Sequence, residues 1–254
     1  MRFASLGSGS LGNALVVESN GTRVLLDCGF SVASATARLK RLGLEPGQLD
    51  AIIVTHEHDD HIGGVARLAQ RFDIPVWLSH GTLRGFESKF AGVRVSAVEN
   101  YAAFSVGSLR IEPYPVPHDA REPAQYVLSN GAVRLGVLTD AGDSTRHIEQ
   151  MLSGCEALLL ECNHDSEMLA KSSYPQRVKD RIASRVGHLE NEAAAKLLAS
   201  LDTRRLQHIV AAHLSRQNNT PGLARSALCG ALGCAPDWIG IADQDSGFDW
   251  LEIS

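Results

Sequence analysis

An apolar run, Ala51-Ile52-Ile53-Val54, passes without a spacer into Thr55-His56-Glu57-His58-Asp59-Asp60-His61. Four such residues in a row fit a strand buried on both faces. Its polar successors are imidazoles interleaved with carboxylates, the ligand types that borderline and harder divalent cations take. A solvated turn containing histidines by chance would stand alone, and this one does not. His118 follows Val116-Pro117 at the end of the alternating stretch 109–116. Asp140 ends Gly136-Val137-Leu138-Thr139, and His213 ends Ile209-Val210-Ala211-Ala212. Each places a ligand group at the carboxyl end of an apolar strand, where layered α/β folds carry their sites.

The chain has 254 residues, 44% of them hydrophobic, enough for a substantial core. No linker, repeat or low-complexity segment divides it, so residues 1–254 read as one domain. There are 24 Lys and Arg against 29 Asp and Glu, a net charge of −5. A nucleic-acid partner would therefore need a local basic patch. The five cysteines (Cys28, Cys155, Cys162, Cys229 and Cys234) are odd in number and form no CxxC pair, which fits reduced thiols. No signal-like leader and no bilayer-length apolar stretch is present. A cytoplasmic protein without a membrane anchor is the expectation.

Local patterns give the element order. Residues 14–18 and 22–27 read as a hairpin about Asn20-Gly21. Residues 32–42 have helical spacing and stop at Gly43. Residues 50–55 form the buried strand, 62–72 a helix and 76–79 a strand. Residues 93–139 are mostly strand-like. Helices follow at 145–152, 191–201 and 221–232, with strands at 157–160, 206–212, 238–242 and 248–253. Strands in blocks, with helices between and outside them, suit two facing sheets covered by helices.

His56-x-His58-x-Asp60-His61, followed in order by His118, Asp140 and His213, resembles the signature of the metallo-β-lactamase-fold hydrolases. The resemblance implies an α/β (α+β) four-layer αββα sandwich. It also implies two divalent metal ions, zinc or manganese, with iron possible. His56, His58 and His118 would hold one, Asp60, His61 and His213 the other, with Asp140 between them. A narrower similarity rests on Gly7-Ser8-Gly9-Ser10-x-Gly12-Asn13, Leu26-Asp27-Cys28-Gly29, Leu160-Glu161-Cys162-Asn163-His164-Asp165, Gly187-His188-Leu189 and His213-Leu214-Ser215-x-x-x-Asn218. These resemble the YycJ/WalJ exonuclease group and, more distantly, tRNase Z and the PhnP phosphodiesterase. Leu11 and Glu190 depart from that pattern. DNA is then the implied substrate, with Asp60 and His188 as catalytic groups, His188 acting as general acid.

Other residues have weaker signals. Asp27, after an apolar strand, suits a partner that orients a ligating imidazole. A helix through Val178, Ile182 and Val186 would place Arg177, Arg181 and Arg185 in a basic stripe leading to His188. Ser8, Ser10, Asn13 and His164 are candidate substrate contacts. Competing readings are a small ester, thioester, lactam or cyclic phosphodiester hydrolase, a flavodiiron-type redox protein, and a non-enzymatic metal-bound module. His58 stands where the redox proteins carry a carboxylate.

Overall fold

A computed structural model describes residues 1–99 and 102–254. The strand-like reading of 93–139 includes Asn100 and Tyr101, which lie outside the described residues. Arg2–Gly7 (β1), Ala14–Ser19 (β2), Thr22–Leu26 (β3), Ala51–Ile53 (β4), Val76–Ser79 (β5) and Val95–Val98 (β6) build one sheet. Phe104–Val106 (β7), Leu109–Pro115 (β8), Ala124–Ser129 (β9), Arg134–Leu138 (β10), Ala157–Glu161 (β11), His208–Ala212 (β12) and Ile239–Ile241 (β13) build the other. Phe248–Glu252 (β14) crosses back to pair antiparallel with β1, Phe3 opposite Leu251.

The helices are Val32–Arg41 (α1), Asp59–Ile62 (α2), Val65–Phe72 (α3), His80–Leu83 (α4), Arg146–Leu152 (α5), Ser166–Lys171 (α6), Gln176–Ile182 (α7), Asn191–Ser200 (α8) and Pro221–Leu232 (α9). Parallel neighbours need crossovers. Helix α1 links β3 to β4, α3 links β4 to β5, α5 links β10 to β11, and α8 and α9 serve β12 and β13 in the same way. All these strands therefore present their carboxyl ends at one edge. Side-chain hydroxyls or carboxylates start the helices: Ser31 caps α1, Thr145 caps α5, Asp165 caps α6 and Thr220 caps α9.

Strand alternation sorts the apolar residues into three cores. Phe3, Val17, Leu26, Ile53, Ile111, Tyr126, Val137 and Val210 meet between the sheets. Their strand neighbours Ala4, Val16, Leu25, Ile52 and Val54 face outward onto Ala35 and Leu39 of α1 and Val65 and Leu68 of α3. On the far side Leu138, Leu158, Leu160, Ile209 and Ala211 pack against Ile148, Leu197, Leu198, Ala224 and Leu228. Three cores separate four layers, the αββα sandwich expected from the motif.

The structure alters three local readings. The helix expected over 62–72 is two, α2 and α3, broken at Gly63-Gly64. Gly64 N donates to Cys28 O at 2.8 Å, and a Cβ there would stand 1.8 Å from Phe30 O, so the chain must turn at that point. The strand β1 escaped the sequence reading. Helix α7 ends at Ile182, so Arg185 and Val186 lie beyond it, and the stripe of three arginines on one helix does not form.

Candidate metal centre

The edge where β3, β4, β8, β10, β11 and β12 end collects nearly every residue singled out by the motifs. The loop after β4 is shaped by Asp27, which follows β3. Its Oδ1 accepts from Thr55 N and its Oδ2 from Thr55 Oγ1, both at 2.8 Å. Asp27 Oδ2 also lies 2.8 Å from His61 Nδ1, and Thr55 Oγ1 lies 2.9 Å from His56 Nδ1. The Thr55 hydroxyl has one proton and gives it to Asp27. It can therefore only accept from His56. Both imidazoles carry their proton on Nδ1, and Nε2 of each is left to face the centre.

The second sheet repeats the device. His118 Nδ1 donates to Gly187 O at 3.0 Å; a carbonyl only accepts, so its Nε2 keeps a lone pair. Glu161 Oε1 lies 2.8 Å from His188 Nδ1 and 3.2 Å from His213 Nδ1. Glu161 Oε2 accepts from Ala141 N at 2.9 Å and Leu189 N at 3.3 Å. The carboxylate thus fixes both rings and the turns that follow β10 and precede α8.

The ligand atoms converge in overlapping groups within 4.8 Å: His56, His58 and His118; His56, His61 and Asp140; Asp60, His61 and His213; and Asp140, Glu161, His188 and His213. His56 Nε2 and Asp140 Oδ2 are buried with no hydrogen-bond partner. Asp140 Oδ2 is 2.9 Å from His61 Nε2, but not in hydrogen-bonding geometry. Buried polar atoms without partners are costly unless something else coordinates them. An imidazole lone pair and a carboxylate oxygen facing one point suit a divalent cation.

The electrostatics agree. Burial, helped by the neighbouring His61 ring, holds the His56 imidazole neutral, well below its usual range. Burial also opposes charge on His61 and His213. Around them Asp140, Asp27, Asp60 and Glu161 prevail, raising His61 well above its ordinary value and His213 to about 10. Burial opposes ionisation of Asp140 as well, yet His213 and His61 hold it well below the carboxylate range. Burial likewise resists the charge on Glu161, which the His188 imidazole draws down to about 2. The cluster demands positive charge at its centre.

Among the described residues five non-glycine residues have left-handed backbone, and three are here: Asp27 (φ 60°), Asp140 (φ 53°) and His213 (φ 54°). Asp27 and His213 follow their strands directly and Asp140 one residue later, and the reversal of φ turns each side chain back over the strand end. Glycine is required where the loops touch: a Cβ on Gly29 would fall 2.1 Å from Asp60 O.

The remaining expected residues are placed as follows. Ser8 Oγ donates to Asn13 Oδ1 at 3.1 Å and accepts from His213 N at 2.9 Å. Asn13 Nδ2 lies 3.1 Å from His61 Nε2. Ser8 thus holds the His213 backbone and Asn13 sits beside the centre-facing Nε2 of His61, while Ser10 is exposed and outside the cluster. His164 is buried, its backbone bridged to Glu190, and burial lowers its imidazole to about 4. Arg181 Nε pairs with Asp119 Oδ2 at 2.6 Å, and Asp119 Oδ1 lies 3.5 Å from His118 Nε2. Arg177 is exposed on α7. Glu161 was not among the expected site residues. Its signal was present all the same: Ala157–Glu161 is another apolar strand ending in a carboxylate.

The chain belongs to the beta-lactamase superfamily domain family, whose family model matches residues 22–209. It is 36% identical over 238 residues to Exodeoxyribonuclease YycJ of Bacillus anthracis, covering 91% of this chain and 89% of that one. It is 33% identical to Exodeoxyribonuclease WalJ of Streptococcus pneumoniae, covering 94% and 91%. Among solved structures, the metallo-beta-lactamase fold protein YhfI from Bacillus subtilis superposes with a TM-score of 0.78 at 16% identity, over 98% of both chains. The fold and the group expected from the motifs both stand.

Proposed function

We propose that residues 1–254 form a single-domain, dinuclear metal-dependent phosphodiesterase that acts as an exonuclease on DNA. The convergence of imidazole nitrogens and carboxylates in overlapping groups, with His56 Nε2 and Asp140 Oδ2 unpartnered, carries this reading. The exodeoxyribonucleases named above support the substrate class. His56, His58 and His118 would hold one cation, Asp60, His61 and His213 the other, and Asp140 would serve both. Zinc and manganese suit these donors, and iron is compatible. Two such cations lower the pKa of water and neutralise charge on phosphoryl oxygens.

The chain's own residues supply the rest. Asp60, partly open to solvent, orients the attacking water. His188 is the general acid: burial works against its proton, but Glu161 and Asp140 raise its pKa above the ordinary value. With Nδ1–H committed to Glu161, Nε2–H is the proton available to the leaving oxygen. Arg181, which pairs with Asp119, would meet a phosphate beside His118. The test is direct. The protein, stripped and reloaded with zinc or manganese, is assayed on 5′-phosphorylated DNA, RNA, bis(p-nitrophenyl) phosphate, a thioester and a β-lactam. Phosphodiester cleavage with DNA preferred is expected; faster thioester or lactam turnover would refute the assignment.

A further inference from the structure

A chain of net charge −5 needs a local cationic surface to hold a polyanion. The arginines near His188 are partly spent: Arg181 pairs with Asp119 and Arg185 with Asp143. Four other cations run outward from the ligand loop. Glu57, between His56 and His58, accepts from Arg121 N at 2.8 Å. The Arg121 guanidinium donates to the Arg84 carbonyl. Beyond Arg84, the side chains of Phe86, Lys89, Phe90, Arg67 and Gln70 line a pocket of about 240 Å³ with Ile62. Ile62 adjoins His61 on α2, so one wall of the pocket belongs to the helix that carries Asp60 and His61. Among the described residues no carboxylate pairs with Arg67, Arg84, Lys89 or Arg121. The neighbouring acid, Glu87, is turned onto Gly85 N at 2.8 Å.

The pocket is built rather than incidental. Lys89 Nζ stands 4.5 Å from the centre of the Phe86 ring. The Gln70 amide donates to Lys89 O and Ala91 O, each at 3.1 Å, and ties this segment to α3. Cations beside an aromatic wall are what a single nucleic-acid strand engages: phosphate on the charges, sugar or base on the ring. We propose that this pocket is a second binding site for the substrate strand, remote from the scissile bond. Arg67 and Lys89 take a backbone phosphate, Phe86 packs against the adjoining sugar or base, and Arg121 and Arg84 hold the strand between pocket and metal centre. The assignment rests on the nuclease reading and gives it a strand path.

The experiment separates the two. Binding of a fluorescein-labelled oligothymidylate of about twelve nucleotides is followed by anisotropy with the protein in EDTA, so that no cleavage is needed. Arg67→Ala/Lys89→Ala should weaken binding tenfold or more. It should also flatten the slope of log K against log salt by about 0.7 for each phosphate no longer neutralised. Phe86→Ala should weaken binding without changing that slope, and Arg110→Ala, far from the line, should bind as the parent does. Parent-like binding by the double variant, or no binding by the parent, overturns the proposal. Binding that follows this pattern, with no cleavage of DNA once metal is restored, would instead defeat the nuclease reading and leave the pocket standing.

Discussion

Single proton positions decide what the centre can hold. Partners that only accept fix Nδ1–H on His56 and His118, and Asp27 and Glu161 do the same for His61, His188 and His213. His213, raised to about 10, retains an extra proton at pH 8 until a cation displaces it. Zinc loading at pH 8 should therefore release protons, and the release should decline as pH rises through about 10. Calorimetry in buffers of different ionisation enthalpy reads this number, and buffer-independent heats would contradict it. Replacing His58, partly open to solvent, by Ala should abolish turnover while circular dichroism stays parental. His188→Ala should retain the parent's metal content by elemental analysis yet lose about 10²–10⁴-fold in kcat. Glu161→Gln, which keeps the side-chain shape but leaves one accepting oxygen for the His188 and His213 rings and the Ala141 and Leu189 amides, should cost a smaller factor, about 10–100.

Elements position these residues, and their boundaries carry the next prediction. Gly29→Ala forces a Cβ into the Asp60 carbonyl and must push α2 away from β3. Stability should fall by about 1–3 kcal/mol, with weakened metal affinity, read from chemical melts with and without zinc. Thr220→Ala removes only the α9 cap, whose Oγ1 accepts from Leu223 N at 3.2 Å, and should cost about 1 kcal/mol with metal affinity unchanged. The strands were legible wherever apolar runs met turn residues, as at Ala157–Glu161 and Val76–Ser79. The candidate ligands were legible because they follow the ends of such runs, four of them in the one loop after Val54. What escaped depended on distant partners. Strand β1 has an unremarkable composition and is buried because β2 and β14 flank it. The break before α3 is set by Phe30 and Cys28, more than thirty residues upstream. The fate of Arg181 is set by Asp119, sixty-two positions away. Glu161 was visible only as one more strand-end carboxylate, since its partners lie on three other segments.

At the scale of the molecule, the two sheets come from successive stretches of chain except for β14, which returns to the first, and the candidate metal centre lies on their seam. His56, His58, Asp60 and His61 come from the first, His118, Asp140 and His213 from the second. Burial seals three thiols within these layers: Cys28, pushed up to about 12, Cys155, to about 11, and Cys162, higher still. Cys229 and Cys234 are partly open. Iodoacetamide at pH 8 should thus modify only the latter two in the folded protein, and all five in urea. Peptide mass mapping checks it, and early labelling of Cys28 would mean that the layer behind the centre opens without global unfolding.

The left-handed backbone at Asp27, Asp140 and His213 has a longer-range consequence. A side chain held in that conformation costs about 1–2 kcal/mol relative to glycine, and here it is tolerated at three positions at once. Selection for heat resistance alone would drift toward glycine at these sites and silence the enzyme. Hardier variants that still turn over substrate must therefore gain their robustness elsewhere, in the helical layers or the surface loops.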